Sequence, residues 1–250
     1  MSEAGTIRIG IGGWSYDPWR GTFFPEKLPK TRELEHAATR LTAIEINATY
    51  YGRQKPETFA KWAASVPDGF RFAVKASRYA TARKILADGA ESVAMFLDQG
   101  LERLEDRLGP VLWQLPPTKA FDREDLARFL ALLPADIGGR PARHVLEARH
   151  ASFDDPAALA LLRDHNIAIA HVDRPDAPAI AERTADFAYA RLERAVAAEP
   201  AGYTPEALDH WATVAREWVA AGDDAYLFFI AGDKVRNPDA AEAMIARVGR

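Results

Sequence analysis

The sequence predicts a single (β/α)8 barrel of the TIM type across residues 1–250. Three observations predict it. Short β-rich runs alternate with longer helical patterns from one end of the chain to the other, eight such runs can be found, and the length is that of an ordinary barrel. Alternation of this kind implies right-handed crossovers and a parallel sheet. Eight strands favour closure over an open doubly wound sheet, which is the alternative.

The strand candidates are residues 7–12, 43–48, 70–75, 110–115, 143–149, 167–173, 187–193 and 225–231. Between them, helical patterns cover 32–41, 56–66, 83–108, 123–133, 156–166, 205–221 and 238–248. Pro56, Pro156, Pro205 and Pro238 suit first-turn positions, where the missing amide hydrogen costs nothing. Asp155, Thr204 and Asn237 precede three of these prolines as expected caps. Residues 174–186 form the weakest helical pattern. The longest loops are 13–30, rich in aromatics and prolines, and the Ala-rich 195–203, which reads as a surface insertion.

Side chains alternate between the faces of a strand, so parity sorts the polar residues. If Ile44 and Ile46 face the helices, Glu45 and Asn47 turn inward. The same rule sends Arg71, Ala73 and Lys75 inward on strand three and places Gln114 at the end of strand four. Glu147 shares a face with Arg149 on strand five, His171 with Asp173 on strand six, and Tyr189 with Arg191 and Glu193 on strand seven. Six consecutive strands thus deliver polar groups near their C-terminal ends, where enzymes of this fold place their chemistry. The competing reading is a salt-bridge plug, with Glu45, Glu147 and Asp173 neutralised by Lys75, Arg149 and Arg191.

Composition narrows the classes. The formal charge of −4 offers no global field for nucleic acid or anionic membrane. Absence of cysteine removes disulfides, thiolate nucleophiles and cysteine-ligated metals. Residues 1–5 show no secretory pattern and no apolar run approaches membrane-spanning length, so a cytoplasmic address is expected.

Several ordered segments resemble the YecE-like family, domain of unknown function 72. They are Gly12-Gly13-Trp14-Ser15-Tyr16 with Trp19-Arg20-Gly21 and Phe24-Pro25, Glu45 through Tyr51, and Lys55 through Phe59. The match continues through Phe70–Ala76, Gly109–Pro117 and Glu147-Ala148-Arg149-His150. The resemblance implies a TIM-like fold and brings no established reaction. Glu193-Arg194 stands where the family usually has histidine and glycine. Phe228-Phe229 leads into Ile230-Ala231-Gly232-Asp233, where an aromatic followed by asparagines is common.

The residues support an expected ligand that is a small anion bearing phosphate or carboxylate. Glu45, Glu147 and Asp173 are the acid/base candidates, with Lys75, Arg149 and Arg191 as anion clamps. Trp14, Tyr16, Asn47, Tyr50, Gln114 and His150 are the further binding candidates, the rings being suited to stack on a flat or sugar-like portion. Arg194, Lys234 and Arg236 add charge after strands seven and eight, where barrels often hold phosphate. Hydrolysis is the expected reaction, because no redox-cofactor motif exists and carboxylates can activate water. No cofactor is expected. No metal is expected either, since His150, His171 and the acids show no HxH or HExxH spacing. The alternatives are a non-catalytic module that binds a nucleotide or nucleic-acid end, and a metal-assisted phosphodiesterase by fold analogy.

Overall fold

In the computed structural model, which describes residues 5–249, the strands pair in parallel into a nearly closed barrel. The strands are β1 (Ile7–Gly12), β2 (Ala43–Ile46), β3 (Arg71–Lys75), β4 (Leu108–Gln114), β5 (His144–Glu147), β6, β7 (Phe187–Leu192) and β8 (Asp224–Phe229). The sixth is broken into Ala168–Ile169, which pairs with β5, and His171–Asp173, which pairs with β7. These two pieces are the ends of one nine-segment sheet and only Ala170 separates them, so β6 completes the ring. β1 pairs with β2 on one side and β8 on the other. Residues 1–4, to which most of the leader reading applies, lie outside the described residues, as does Arg250.

Helices α1 (Glu33–Arg40), α2 (Ala48–Tyr51), α3 (Pro56–Ala64), α4 (Arg78–Thr81), α5 (Ala90–Leu97), α6 (Arg123–Leu130), α7 (Pro156–Asp164), α8 (Pro205–Ala220) and α9 (Asn237–Val248) complete the described helical set. Their apolar faces and the outward strand residues, among them Ile9, Ile44, Phe72, Trp113 and Leu227, make the main core. A second, smaller core fills the barrel itself. Ala43, Ala73, Ala168 and Ala170 are small there, and Phe187, Tyr189, Tyr226 and Phe228 occupy the space they leave. Gly10 must be glycine, because a Cβ would lie 1.9 Å from the Ala43 carbonyl oxygen across the β1–β2 contact.

Asp155 accepts from the Ala157 amide at 2.7 Å and Thr204 from Ala207 at 3.3 Å, so these two caps act as their residue types predict. Asn237 does not cap. A 3-10 turn, Lys234–Arg236, runs into α9, and Asp233 caps that turn instead through the Val235 amide at 3.0 Å. The expected helix over 83–108 is broken, because Gly100 adopts φ 110°, a left-handed conformation in which an α-helix cannot continue. Strand two stops at Ile46 because the chain turns at once into α2. Residues 174–186 contain no helix. The 195–203 loop is anchored as well as inserted: Tyr203 is buried against Phe229 and its hydroxyl accepts from the Arg194 amide at 2.8 Å.

Candidate functional site at the C-terminal mouth

β7 carries the centre of the site. Tyr189, Arg191 and Glu193 follow one another on its inward parity, and Arg191 lies 2 % exposed at the middle of the mouth. Its Nε and Nη2 donate to the two carboxylate oxygens of Glu45 at 3.1 Å each, a two-pronged contact across to β2. Its Nη1 donates to Glu147 at 2.6 Å and to Glu193 at 2.8 Å. Charges so buried persist only when paired and hydrogen-bonded, and this guanidinium holds bonds to three carboxylates.

The carboxylates are saturated in turn. The Tyr189 hydroxyl donates to Glu45 at 2.7 Å. Gln114, at the end of β4, donates to both Glu147 oxygens at 2.9 and 2.8 Å, and the Arg149 Nε adds a further bond at 2.7 Å. Burial works to raise the Glu147 carboxyl, but Arg191, Arg149 and Gln114 outweigh it and hold it at about 2. A group so acidic is a weak proton acceptor at neutral pH. Glu193 differs. Burial pushes its carboxyl up, the charge of Glu147 adds to the rise, and Arg191 opposes it.

Lys75 closes the opposite side of the mouth. It is 9 % exposed, and its ammonium lies 4.3 Å from the Tyr50 ring centroid and makes no hydrogen bond or ion pair with any described residue. Burial, then the positive charge of Arg191, lowers it to about 8. Arg149 is partly exposed and engages Glu147 through Nε, with Nη2 as far as 4.0 Å from Glu193.

Glu45, Lys75, Gln114, Glu147, Arg149 and Arg191 are therefore brought together, with Tyr50 over Lys75 and Asn47 beside Glu45, whose carbonyl its amide meets at 3.3 Å. Asp173 is not among them. Ala168, Ala170 and Val172 take the inward positions of β6 in unbroken alternation, so His171 packs outward on Trp218 and Asp173 pairs with Arg194 at 2.5 Å. Trp14 packs on Trp62 and Phe72, and Tyr16 on Trp19. Lys234 lies over the rings of Tyr16 and Trp19, so this cation serves to pin the long first loop. His150 caps a short turn through the Ser152 amide and hydroxyl. Arg191, expected as a clamp, has its donors committed inside the protein. Glu193 and Tyr189 were on the right face by parity, but parity says nothing of how strongly a neighbour shifts a carboxyl.

Among the described residues no group of three His, Asp or Glu side chains is arranged to hold a metal ion, and no helix is long and apolar enough to cross a membrane.

Fold and mouth together define a TIM-like barrel with a buried ionic network at its C-terminal end. The chain belongs to the family described as Protein of unknown function DUF72, whose model matches residues 8–250. It is 30 % identical to UPF0759 protein YecE of Escherichia coli (strain K12) over 150 residues, 59 % of this chain and 50 % of that protein. It is 26 % identical to UPF0759 protein YunF of Bacillus subtilis (strain 168) over 155 residues, 60 % of this chain and 53 % of that protein. The chain thus spans about half the length of the curated relatives it matches. Among solved structures, a DUF72 family protein from Thermotoga maritima MSB8 superposes with a TM-score of 0.76 at 24 % identity, covering 96 % of each chain. A D-psicose 3-epimerase solved in the presence of D-fructose superposes at 0.54 with 13 % identity, covering 96 % of each chain. Likeness at these identities shows the fold alone.

Proposed function

We propose that the C-terminal mouth binds a small anion bearing phosphate or carboxylate and hydrolyses it. The observation that carries the reading is Lys75, a cation within the mouth whose ammonium forms no ion pair with a described carboxylate, although Glu45 and Glu147 act on it from a distance. The partly exposed Nη groups of Arg149 would share the anion. In this reading Arg191, Glu45 and Glu147 form the rigid floor, and Glu193 moves the proton. A water molecule gives its proton to the Glu193 carboxylate as its oxygen attacks the phosphorus or carbonyl carbon, and the proton passes to the leaving oxygen. The raised Glu193 carboxyl supports this assignment, since a base titrating nearer neutrality is a better proton carrier than Glu147. The reading keeps the cytoplasmic address expected from the sequence.

Calorimetry and a turnover screen on phosphomonoesters and carboxylic esters test it. Lys75→Gln should weaken any anion bound by the parent about tenfold or more. Glu193→Gln should retain binding and abolish turnover. Unchanged affinity in Lys75→Gln would remove the mouth as the anion site. Binding without turnover in the parent would make the protein a recognition module for an anionic ligand such as a nucleotide.

A further inference from the structure

At the opposite end of the barrel a cavity of about 410 Å3 opens between the strand starts. Arg8 of β1, Arg71 of β3 and Arg143, just before β5, line it with Asp224 and Tyr226 of β8. Arg143 is paired: Nη1 donates to Asp224 at 2.6 Å and to the Tyr226 hydroxyl at 3.2 Å. The other Asp224 oxygen accepts from the Thr6 amide at 2.8 Å. Arg140, on the hairpin formed by Asp136–Ile137 and Arg140–Pro141, pairs with Asp106 at 3.0 Å.

Arg8 and Arg71 are left over. Among the described residues the Arg8 guanidinium has no hydrogen-bond or ion-pair partner, and that of Arg71 donates only to the adjoining Phe70 carbonyl at 3.2 Å. Both are half-buried. Burial, then the charge of Arg71, lowers Arg8 from its ordinary range, and Tyr226 and Asp224 oppose the fall without reversing it. Glu105 also lines the cavity, but it is exposed and bonds to neither arginine. Two guanidiniums sharing a concave, partly dry space, neither of them ion-paired, repel each other in the empty protein, and Asp224, already bonded to Arg143 and Thr6, offsets this only in part. An arrangement that only plugged the barrel would pair them, as Arg143 is paired.

We propose that this cavity binds the phosphate group of a small phosphorylated molecule between Arg8 and Arg71. A guanidinium presents parallel N–H donors that match two phosphate oxygens, and a phosphate dianion balances two unpaired cations where a monocarboxylate balances one. Leu108, Val111 and Ile137 give the cavity an apolar wall for the uncharged remainder of the molecule. No residue of this site belongs to the C-terminal mouth, so the two sites stand or fall separately.

Calorimetry with inorganic phosphate and with phenyl phosphate decides it, on the parent and on Arg8→Gln, Arg71→Lys and Lys75→Gln. The parent should bind phenyl phosphate, and Arg8→Gln should bind it about tenfold more weakly or worse. Arg71→Lys keeps the charge and loses the fork, so it should also weaken binding even if Arg8→Gln fails to fold. A parent that binds neither probe, or equal affinity in parent, Arg8→Gln and Arg71→Lys, overturns the proposal. Loss of the phosphate site in Lys75→Gln with retention in Arg8→Gln and Arg71→Lys overturns it too, and leaves the mouth reading standing. Melting in phosphate-free buffer supplies a second readout. Arg8→Gln should melt no lower than the parent, whereas a clearly lower melting point would mark Arg8 as a structural plug.

Discussion

At the C-terminal mouth Arg191 holds hydrogen bonds to three glutamates, while at the other end of the same barrel Arg8 holds none and Arg71 reaches only a neighbouring carbonyl. The difference follows burial. Arg191 is closed off from water, so it is tolerable only because Glu45, Glu147 and Glu193 compensate it. Arg8 and Arg71 keep contact with solvent, so water meets part of their need for acceptors. One residue type thus plays two parts in one fold. A saturated cation holds structure, and an unsaturated one in a cavity is available to a ligand. Lys75 sits between these cases, nearly as buried as the network around it yet without a carboxylate partner.

The largest effect expected from this contrast is at Arg191. Arg191→Met leaves Glu45 and Glu147 buried without their common cation and should cost about 3–5 kcal/mol in urea unfolding. A loss under about 1 kcal/mol would break the contrast, since it would mean that the mouth does not depend on saturation.

Lys75 sharpens it. Its folded-state ammonium titrates near 8, below the value of about 10.5 of an unfolded lysine, so below pH 8 the folded protein carries the full cost of a buried cation. Stability should therefore rise with pH between about 8 and 10.5. Lys75→Met should gain about 2–3 kcal/mol at pH 7 and lose that advantage above about pH 10.5, as read by denaturation at several pH values. A variant no more stable than the parent at pH 7 would show that the ammonium is well solvated.

His171 isolates burial from pairing. Its ring packs on Trp218 and burial lowers it to about 4, so it stays neutral in the fold while an unfolded histidine charges below about 6.5. The parent should lose stability as pH falls from about 6.5 to about 4. The ring is partly exposed, which limits the loss to about 1–2 kcal/mol. His171→Phe should flatten that slope, and an unaltered slope would assign acid sensitivity to other groups. The smallest effect belongs to Arg8. Arg8→Gln should change unfolding stability in phosphate-free buffer by no more than about 0.5 kcal/mol, a null result that sets it against Arg191.

Alternation of strand and helix, the number of strands and the inward parity of β2, β3, β4, β5 and β7 were all legible in the sequence. Each depends on chemistry local to a few residues: which side chains alternate, and where proline and capping residues stand. Parity was assigned to the wrong face on β6: alternation runs unbroken, but Ala168, Ala170 and Val172 point into the barrel and the polar His171 and Asp173 point away from it. Asn237 failed as a cap because a 3-10 turn, capped by Asp233, enters α9 ahead of it. Trp14 and Tyr16 belong to the right loop, but the sequence does not say whether a ring faces a ligand or a neighbouring ring.

The sequence by itself determined the barrel, its family and the set of charged residues that its strands deliver to the mouth. Only the tertiary structure decided which of those charges were spent on one another. The Glu147 carboxyl is held low because Arg191 and Arg149 meet it, Glu193 is raised by burial beside Glu147, and Lys75 is left over. The physical reason is distance. Pairing and desolvation act over a few ångströms between residues far apart in the chain, 146 positions in the case of Glu45 and Arg191, and strand periodicity carries no information about which of them will touch.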